Sequence, residues 1–329
     1  MRDAPLRIGI LGAANIAPFG IIRPARHVPA AEIVAVAARD ERRARRFAAR
    51  HGIPRALPDY EALLADPGID AIYNPLPNGL HCEWTIRALE AGKHVLCEKP
   101  LASNAYEAER MSDAAASTGC KLMEAFHWRY HPLADRMKQI VDGGSLGPVR
   151  DIEVRMCLPL PIPGDIRYRY DLAGGATMDM GCYTISILRF LAGAEPTVVS
   201  AKPLLSSPDV DRAMRAEFRF EDGRTGRIHC SMFSASMFSL AVEVTGDDGE
   251  LSVFNPIAPH LLNRVKLRTA AGTHTERVRG EATYTSQLRA FVAYVRGEGS
   301  VPTDAAHGVA NMRVIDAVYD AAGMKQRGR

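Results

Sequence analysis

Leu6-Arg7-Ile8-Gly9-Ile10-Leu11-Gly12-Ala13-Ala14-Asn15-Ile16-Ala17 is the stretch whose reading decides the fold. An apolar run of strand length stops at a glycine, and that glycine opens a turn of mostly small residues. Strands buried on both faces read as such runs, and a tight turn at their carboxyl end lets backbone N–H groups and the next helix's N-terminus meet a pyrophosphate. The usual spacing is Gly-x-Gly-x-x-Gly, of which Gly12 alone is kept, with Ala14 and Ala17 at the other two positions. Two readings of Gly12, Ala13, Ala14, Asn15 and Ile16 therefore stand together: a phosphate loop, and a plain strand-to-helix turn.

Outward from this stretch the pattern repeats. Apolar strands are predicted at 6–11, 33–37, 71–73, 94–97 and 121–123, separated by amphipathic helices at about 41–51, 80–91 and 105–118. Gly52, Gly92 and Gly119 stand where helices end, since glycine enters the left-handed conformation without steric cost. Asn104, three residues before Glu107, resembles a capping box. Alternating strand and helix requires parallel pairing with right-handed crossovers, hence an α/β fold with a doubly wound, Rossmann-type parallel sheet over 1–124. Beyond residue 125 the texture changes. Helices at 132–141 and 177–191 accompany strands at 149–156, 198–202, 214–220, 225–232, 240–245, 250–254, 264–269 and 274–278, and helices at 284–296 and 303–321 close the chain. Turn signals such as Glu221-Asp222-Gly223 predict a large, mostly antiparallel open sheet, so 125–329 reads as an α+β domain. The stiff run Pro159-Leu160-Pro161-Ile162-Pro163-Gly164 is expected to form one wall of a pocket.

Composition narrows the function classes. At 329 residues the chain exceeds the usual size of one hydrophobic core, and its 47% hydrophobic content suffices for two. With 41 basic against 38 acidic residues, a net charge of +3 argues for neither nucleic acid nor an anionic membrane surface. Only Arg39, Arg42, Arg43, Arg45, Arg46 and Arg50 are locally basic. Six scattered cysteines without a Cys-x-x-Cys, and no histidine cluster at metal spacing, predict reduced thiols in the cytoplasm and no metal. Met1-Arg2-Asp3 leads almost directly into a strand, and no apolar run reaches membrane-spanning length; neither signal peptide nor anchor is expected.

The second predicted strand ends Val36-Ala37-Ala38-Arg39. Where a free ribose hydroxyl would call for Asp or Glu there is Ala38, and Arg39 offers a planar fork for a 2′-phosphate, which favours NADP over NAD. Arg39 as a solvated charge and Asp40 as a helix cap are the plainer alternatives. Glu98-Lys99-Pro100 ends the fourth strand; far downstream come Asp179 and, four residues later, Tyr183. A tyrosine brought beside a lysine can exchange a proton with a hydroxyl, because an ammonium favours the phenolate of a group whose ordinary pKa is about 10. Asp179, one turn before Tyr183, can hold a neighbouring hydroxyl or balance Lys99. Taken singly, Lys99 reads as a surface lysine and Tyr183 as a core aromatic.

Five segments in order resemble the glucose-fructose oxidoreductase family, written Gfo/Idh/MocA. They are Gly12-Ala13-Ala14; Asn74-Pro75-Leu76-Pro77-Asn78 with His81; Glu98-Lys99-Pro100-Leu101; Met123-Glu124-Ala125-Phe126-His127-Trp128-Arg129-Tyr130-His131-Pro132; and Gly174-Gly175-Ala176-Thr177-Met178-Asp179-Met180-Gly181-Cys182-Tyr183. Tyr183 matches the tyrosine form found in the branch of NADP-dependent D-xylose dehydrogenases and dimeric dihydrodiol dehydrogenases. The resemblance implies an oxidoreductase with Lys99, Tyr183 and Asp179 as catalytic residues. It sets Pro75, Leu76, Asn78, His81, Glu98, Lys99, Trp128 and Arg129 against the cofactor, beside Gly12 to Ile16 and Arg39.

Trp128, Arg167, Asp179 and Tyr183 are expected to meet the substrate, with Arg169 an alternative to Arg167. His81, His127 and His131 are given no chemical role of their own. A carbohydrate or cyclic polyol is the expected substrate, a pyranose stacked on Trp128 before an aromatic dihydrodiol. A cofactor- or sugar-binding protein without turnover is the alternative from another class. An open sheet with no helices on its far face would leave apolar surface in water, so a homodimer or homotetramer built sheet to sheet is expected.

Overall fold

The computed structural model describes residues 4–162 and 164–328; Met1-Arg2-Asp3, Pro163 of the proline-rich run, and Arg329 lie outside them. The first sheet contains β1 (Leu6–Leu11), β2 (Ala31–Ala37), β3 (Arg55–Leu57), β4 (Ala71–Asn74), β5 (His94–Cys97) and β6 (Leu122–Glu124). Every pairing is parallel, in the order β3-β2-β1-β4-β5-β6. Strand order reverses between β1 and β4, and the crevice outside the carboxyl ends at such a reversal is where doubly wound sheets take ligands.

Local chemistry fixes the crossovers. The helix Glu41–His51 starts at Asp40, whose carboxylate accepts the Arg42 N–H at 2.9 Å, and ends at Gly52 with φ 71°. The helix Ala105–Thr118 is held by Asn104 accepting from the Glu107 N–H at 2.9 Å, while the Glu107 carboxylate accepts from the Ser103 N–H at 2.9 Å. β3 and the helix Tyr60–Ala65 were not anticipated by periodicity. Three and six residues are too few to display a period.

The second sheet contains β7 (Val149–Cys157), β8 (Thr197–Ser207), β9 (Val210–Arg219), β10 (Thr225–Ser231), β11 (Ser239–Gly246), β12 (Gly249–Phe254), β13 (Arg264–Thr269) and β14 (Gly272–Glu276). Its order is β14-β13-β12-β11-β7-β10-β9-β8, antiparallel except where β7 meets β10. One face, with Ile152, Val154, Met214, Phe218, Ile228 and Val242, is buried.

The opposite face is mixed rather than uniformly apolar as expected. Alternate positions carry Asp151, Glu153 and Arg155 on β7 and Arg215, Glu217 and Arg219 on β9. Arg227 donates to Asp151 at 2.7 Å, and Arg155 pairs with both Glu153 and Glu243. Ion pairs of alternating sign keep the middle of this face compatible with water, while Val199, Leu204 and Leu205 on β8 and Phe233, Met237 and Phe238 between β10 and β11 stay exposed.

The chain forms two compact units, Met1–Arg129 with Tyr284–Val309, and Tyr130–Thr283 with Ala310–Arg329. Residues 284–309 thus return to the first unit, tied by Arg289 to the His27 carbonyl at 2.8 Å and by the Thr303 hydroxyl to the Glu124 carbonyl at 2.8 Å. No helix among the described residues is long and apolar enough to cross a membrane.

Candidate functional site

The site residues divide between the two units. In the first, parallel strands deliver residues 12–16, Arg39, the turn at 75–78, Glu98 and Lys99 to one edge of the sheet. Gly12 has φ +90°, and its N–H donates to the Ala37 carbonyl at 2.7 Å. A Cβ there would stand 3.0 Å from Leu76 Cδ2, so glycine is required both by conformation and by the approach of the loop after β4. Arg43 donates to the Ala13 carbonyl at 2.9 Å and ties the turn to the following helix. Ala38 is buried against Ala13 and Ala44, whereas Arg39 is exposed and Asp40 caps the helix.

The loop after β4 is braced from below. Asn74, fully buried, accepts from the Leu76 N–H at 3.3 Å and donates to Thr85 Oγ1 at 3.0 Å. His81 is also fully buried, its Nε2 2.7 Å from the Leu76 carbonyl oxygen and its Nδ1 2.9 Å from that of Pro100. It links the loop after β4 to the loop after β5 from behind and reaches no surface where a ligand could meet it. Burial, with the Lys99 charge adding to it, pushes its pKa down to about 4 against the two carbonyls, which favour the protonated ring.

The sign of the linkage follows. The unfolded chain takes up this proton near pH 6.5 and the folded one only near pH 4, so stability is full above about 6.5 and is lost as pH falls towards 4. The loss is at most about 3 kcal/mol, because the carbonyls facing both ring nitrogens are bonded together only by the protonated ring and oppose the shift. Urea titrations of wild type and His81→Gln at pH 7 and pH 4 are expected to differ by up to this amount in their pH dependence. Equal pH dependence would contradict the assignment.

Glu98 is buried and accepts from the Tyr73 hydroxyl at 2.7 Å; the Lys99-Pro100 peptide is cis, and Lys99 is half-buried. Glu124, fully buried at the end of β6, accepts from the Leu101 N–H at 2.8 Å, and its other oxygen lies 3.3 Å from His307 Nδ1. Tyr73 and Glu124 thus hold the loop bearing Lys99, a role that periodicity did not disclose. Their one signal is a polar group inside an otherwise apolar strand. Arg129 is half-buried, and Trp128 is only 1% exposed, so the ring expected to stack a pyranose offers no open face.

In the second unit the chain passes Gly174-Gly175 into a π-helical turn, Thr177–Gly181, which continues as the helix Cys182–Ala192. The Cys182 N–H reaches back to the Thr177 carbonyl, the wide turn that recurs at functional sites. This segment carries Asp179 and Tyr183, the latter 4% exposed. Arg167, on the short turn Ile166–Tyr168, donates through Nε to Asp179 at 3.0 Å and through Nη1 to Asp165 at 3.0 Å. Arg167 rather than Arg169 is therefore brought to Asp179; Arg169 pairs with Asp171. Attraction to Asp179 leads the causes that raise the Arg167 pKa, so its charge is fixed. Asp165 was not anticipated, although its spacing from Arg167 was a usable sign. No group of three or more His, Cys, Asp or Glu residues among those described could hold a metal ion.

Residues 6–126 match a family model described as "Oxidoreductase family, NAD-binding Rossmann fold", and residues 134–252 match the "GFO/IDH/MocA C-terminal domain". The chain is 37% identical over 321 residues to a D-xylose 1-dehydrogenase (NADP(+)) of Haloferax volcanii, covering 96% of this chain and 97% of that one. It is 33% identical over 195 residues to a trans-1,2-dihydrobenzene-1,2-diol dehydrogenase of Xenopus tropicalis, covering 59% of this chain and 58% of the relative. Among solved structures, a 3-ketoreductase from Actinomadura kijaniata in complex with NADP and TDP-benzene superposes with a TM-score of 0.90 at 30% identity, covering 96% of this chain and 98% of that one.

Proposed function

We propose, for a chain that belongs to the GFO/IDH/MocA oxidoreductase family, the NADP-dependent interconversion of a secondary hydroxyl and a ketone or lactone on a sugar or cyclic polyol. What supports this reading is that a left-handed Gly12, an exposed Arg39 with no acid at Ala38, and Lys99 follow the carboxyl ends of β1, β2 and β5 of one parallel sheet. These residues fit a dinucleotide. A side chain at position 12 would close the turn against Leu76, and a carboxylate at position 38 would repel a 2′-phosphate. Residues 12–16 would hold the pyrophosphate, Arg39 the 2′-phosphate, and the loops at 75–78 and 98–101 the nicotinamide end. When bound, NADP supplies the hydride acceptor, or as NADPH the donor, at nicotinamide C4.

The chain's own groups manage the proton. In oxidation the Tyr183 oxygen takes the hydroxyl proton as the C–H bond of the same carbon breaks with hydride departure; in reduction the phenol returns it to the forming alkoxide. Lys99 places an ammonium where that oxygen turns negative. Asp179, held by Arg167, presents its remaining acceptor capacity to a neighbouring hydroxyl. A dihydrodiol is the second reading, supported by the exposed Ile162 and Ile166 in the segment that leads to Arg167, apolar side chains that suit an aromatic ring.

Fluorescence titration with NADPH and NADH, followed by nicotinamide absorbance over aldoses, 1,5-anhydro sugars and dihydrodiols, tests the proposal. Turnover by at least one class is expected. Cofactor binding with no turnover across the panel would favour a sensor or scaffold. Arg39→Ala is expected to weaken NADPH about 10-fold or more while leaving NADH within about two-fold, since it removes a charge-assisted contact to the 2′-phosphate alone. A preference for NADH in wild type would overturn the assignment.

A homo-oligomer through the second sheet would bring its alternating charges together as well as the exposed Leu204 and Leu205 of β8. Sedimentation equilibrium is expected to show association that dissociates in about 1 M salt; a monomer at low salt would contradict it. Six cysteines without a disulfide fit a reducing compartment such as the cytoplasm.

A further inference from the structure

The second unit contains an ion cluster that the chemistry above does not use. Asp211, on β9, and Arg327, near the end of the chain, are both fully buried and pair at 3.0 Å. One Asp211 oxygen accepts from the Thr177 N–H and from the Thr177 hydroxyl, each at 2.7 Å. The other accepts from the Tyr319 hydroxyl at 3.0 Å and from Arg327 Nη2. Arg327 also donates through Nε to the Gly174 carbonyl at 2.7 Å and through Nη1 to the Lys325 carbonyl at 2.9 Å, and its guanidinium lies 4.1 Å from the centre of the Tyr319 ring. Each Asp211 oxygen is doubly engaged.

The cluster grips the start of the segment that carries Asp179 and Tyr183. Thr177 opens the π-helical turn, and the Gly175 carbonyl accepts the Asp179 N–H at 3.0 Å. Gly175 has φ +137°, and a Cβ there would lie 2.3 Å from Asp211 Oδ1 and 2.8 Å from the Tyr319 oxygen. The same glycines bind the other wall: Gly174 and Gly175 donate to the carbonyls of Arg169 and Arg167, each at 2.8 Å. Displacing the cluster therefore moves Asp179, Tyr183 and Arg167 together. A buried ion pair returns in attraction about what its desolvation costs, so it contributes little net stability over an apolar filling of the same volume. Its directional bonds do what an apolar filling cannot, which is to fix where Thr177 and Gly174 sit.

We propose that Asp211, Tyr319 and Arg327 are positioning residues that set the register of the segment bearing Tyr183, a role that rests on the proposed proton transfer at that residue. The segment carrying Tyr319 and Arg327 thus acts as a clamp on Thr177 and Gly174. The test compares Tyr319→Phe, Arg327→Lys and Arg327→Ala with Tyr183→Phe, using the fastest substrate found among aldoses, 1,5-anhydro sugars and dihydrodiols. Assays are run well below each variant's melting temperature. A misplaced proton donor is expected to lower kcat about 10- to 100-fold in Arg327→Ala, with the NADPH dissociation constant within about two-fold of wild type. Arg327→Lys restores a charge beside Asp211 but not the fork that also holds Gly174, so it recovers melting temperature more fully than kcat.

Tyr319→Phe keeps the ring and loses one bond, and is expected to fold and to lose about 3-fold or more in kcat. If Tyr183→Phe is inactive while Tyr319→Phe and Arg327→Lys, both folded, keep wild-type kcat, the cluster is structural only and the proposal is overturned. If Tyr183→Phe itself remains active, the failure lies with the proton-transfer reading.

Discussion

Tyr183→Phe is expected to lower kcat about 10²- to 10⁴-fold while leaving the NADPH dissociation constant within about two-fold of wild type. The asymmetry follows from placement. Residues 12–16, Arg39 and Lys99 belong to the first unit, whereas Tyr183 belongs to the second. Deleting one oxygen from a ring that is 4% exposed leaves the packing volume in place, so the variant is expected to fold. Stopped-flow measurement of NADPH formation isolates the chemical step. A variant retaining more than about a tenth of wild-type kcat would remove Tyr183 as the proton-transfer group.

Lys99→Met is expected to cost about 10²-fold or more in kcat, equivalent to about 3 kcal/mol of transition-state stabilisation. Methionine keeps the length and apolar stem of lysine and deletes the ammonium. Its loop should survive, because Glu98 is held by Tyr73 and the Leu101 N–H by Glu124, neither through the lysine ammonium. A second readout needs no substrate. The Lys99 charge is one cause of the low His81 pKa, so removing it raises that value and reduces the stability lost between pH 6.5 and pH 4. Unchanged acid sensitivity together with unchanged kcat would place the Lys99 ammonium away from both.

How much of this was legible beforehand depended on whether the determinants were local. β1 and β5 were read to the residue, as were the helices Glu41–His51 and Ala105–Thr118, because apolar runs, an Asp or Asn cap and a terminal glycine all lie within a few positions of one another. The eight strands of the second sheet were each found, with ends displaced by up to five residues; β8 runs to Ser207 because its final turns of sequence are exposed and carry no alternation. β3 follows Pro54 as three edge residues and gave no signal.

The expectation of a wholly apolar outer face overlooked available information, although exposed Val199, Leu204, Leu205, Phe233, Met237 and Phe238 keep part of that surface apolar. Asp151-x-Glu153-x-Arg155 and Arg215-x-Glu217-x-Arg219 display a charged period of two that predicts a solvated face. Candidate residues adjacent to strand ends could be named because the carboxyl edge of a parallel sheet collects them. Glu124, Tyr73, Asp211 and Arg327 were not, since their partners lie 23, 25, 34 and 153 residues away and no period joins them. Trp128 failed differently: an aromatic beside an arginine looks like a platform in sequence, and only its burial shows it to be core.

The most direct test of the central claim is a crystal structure of the chain with NADP and a captured substrate or product. The account predicts the Lys99 ammonium and the Tyr183 hydroxyl within about 3 Å of one substrate oxygen or of each other, with nicotinamide C4 facing the carbon that bears that oxygen. A bound nicotinamide with Tyr183 more than about 8 Å from the substrate oxygen, beyond the reach of even one bridging water, would contradict it.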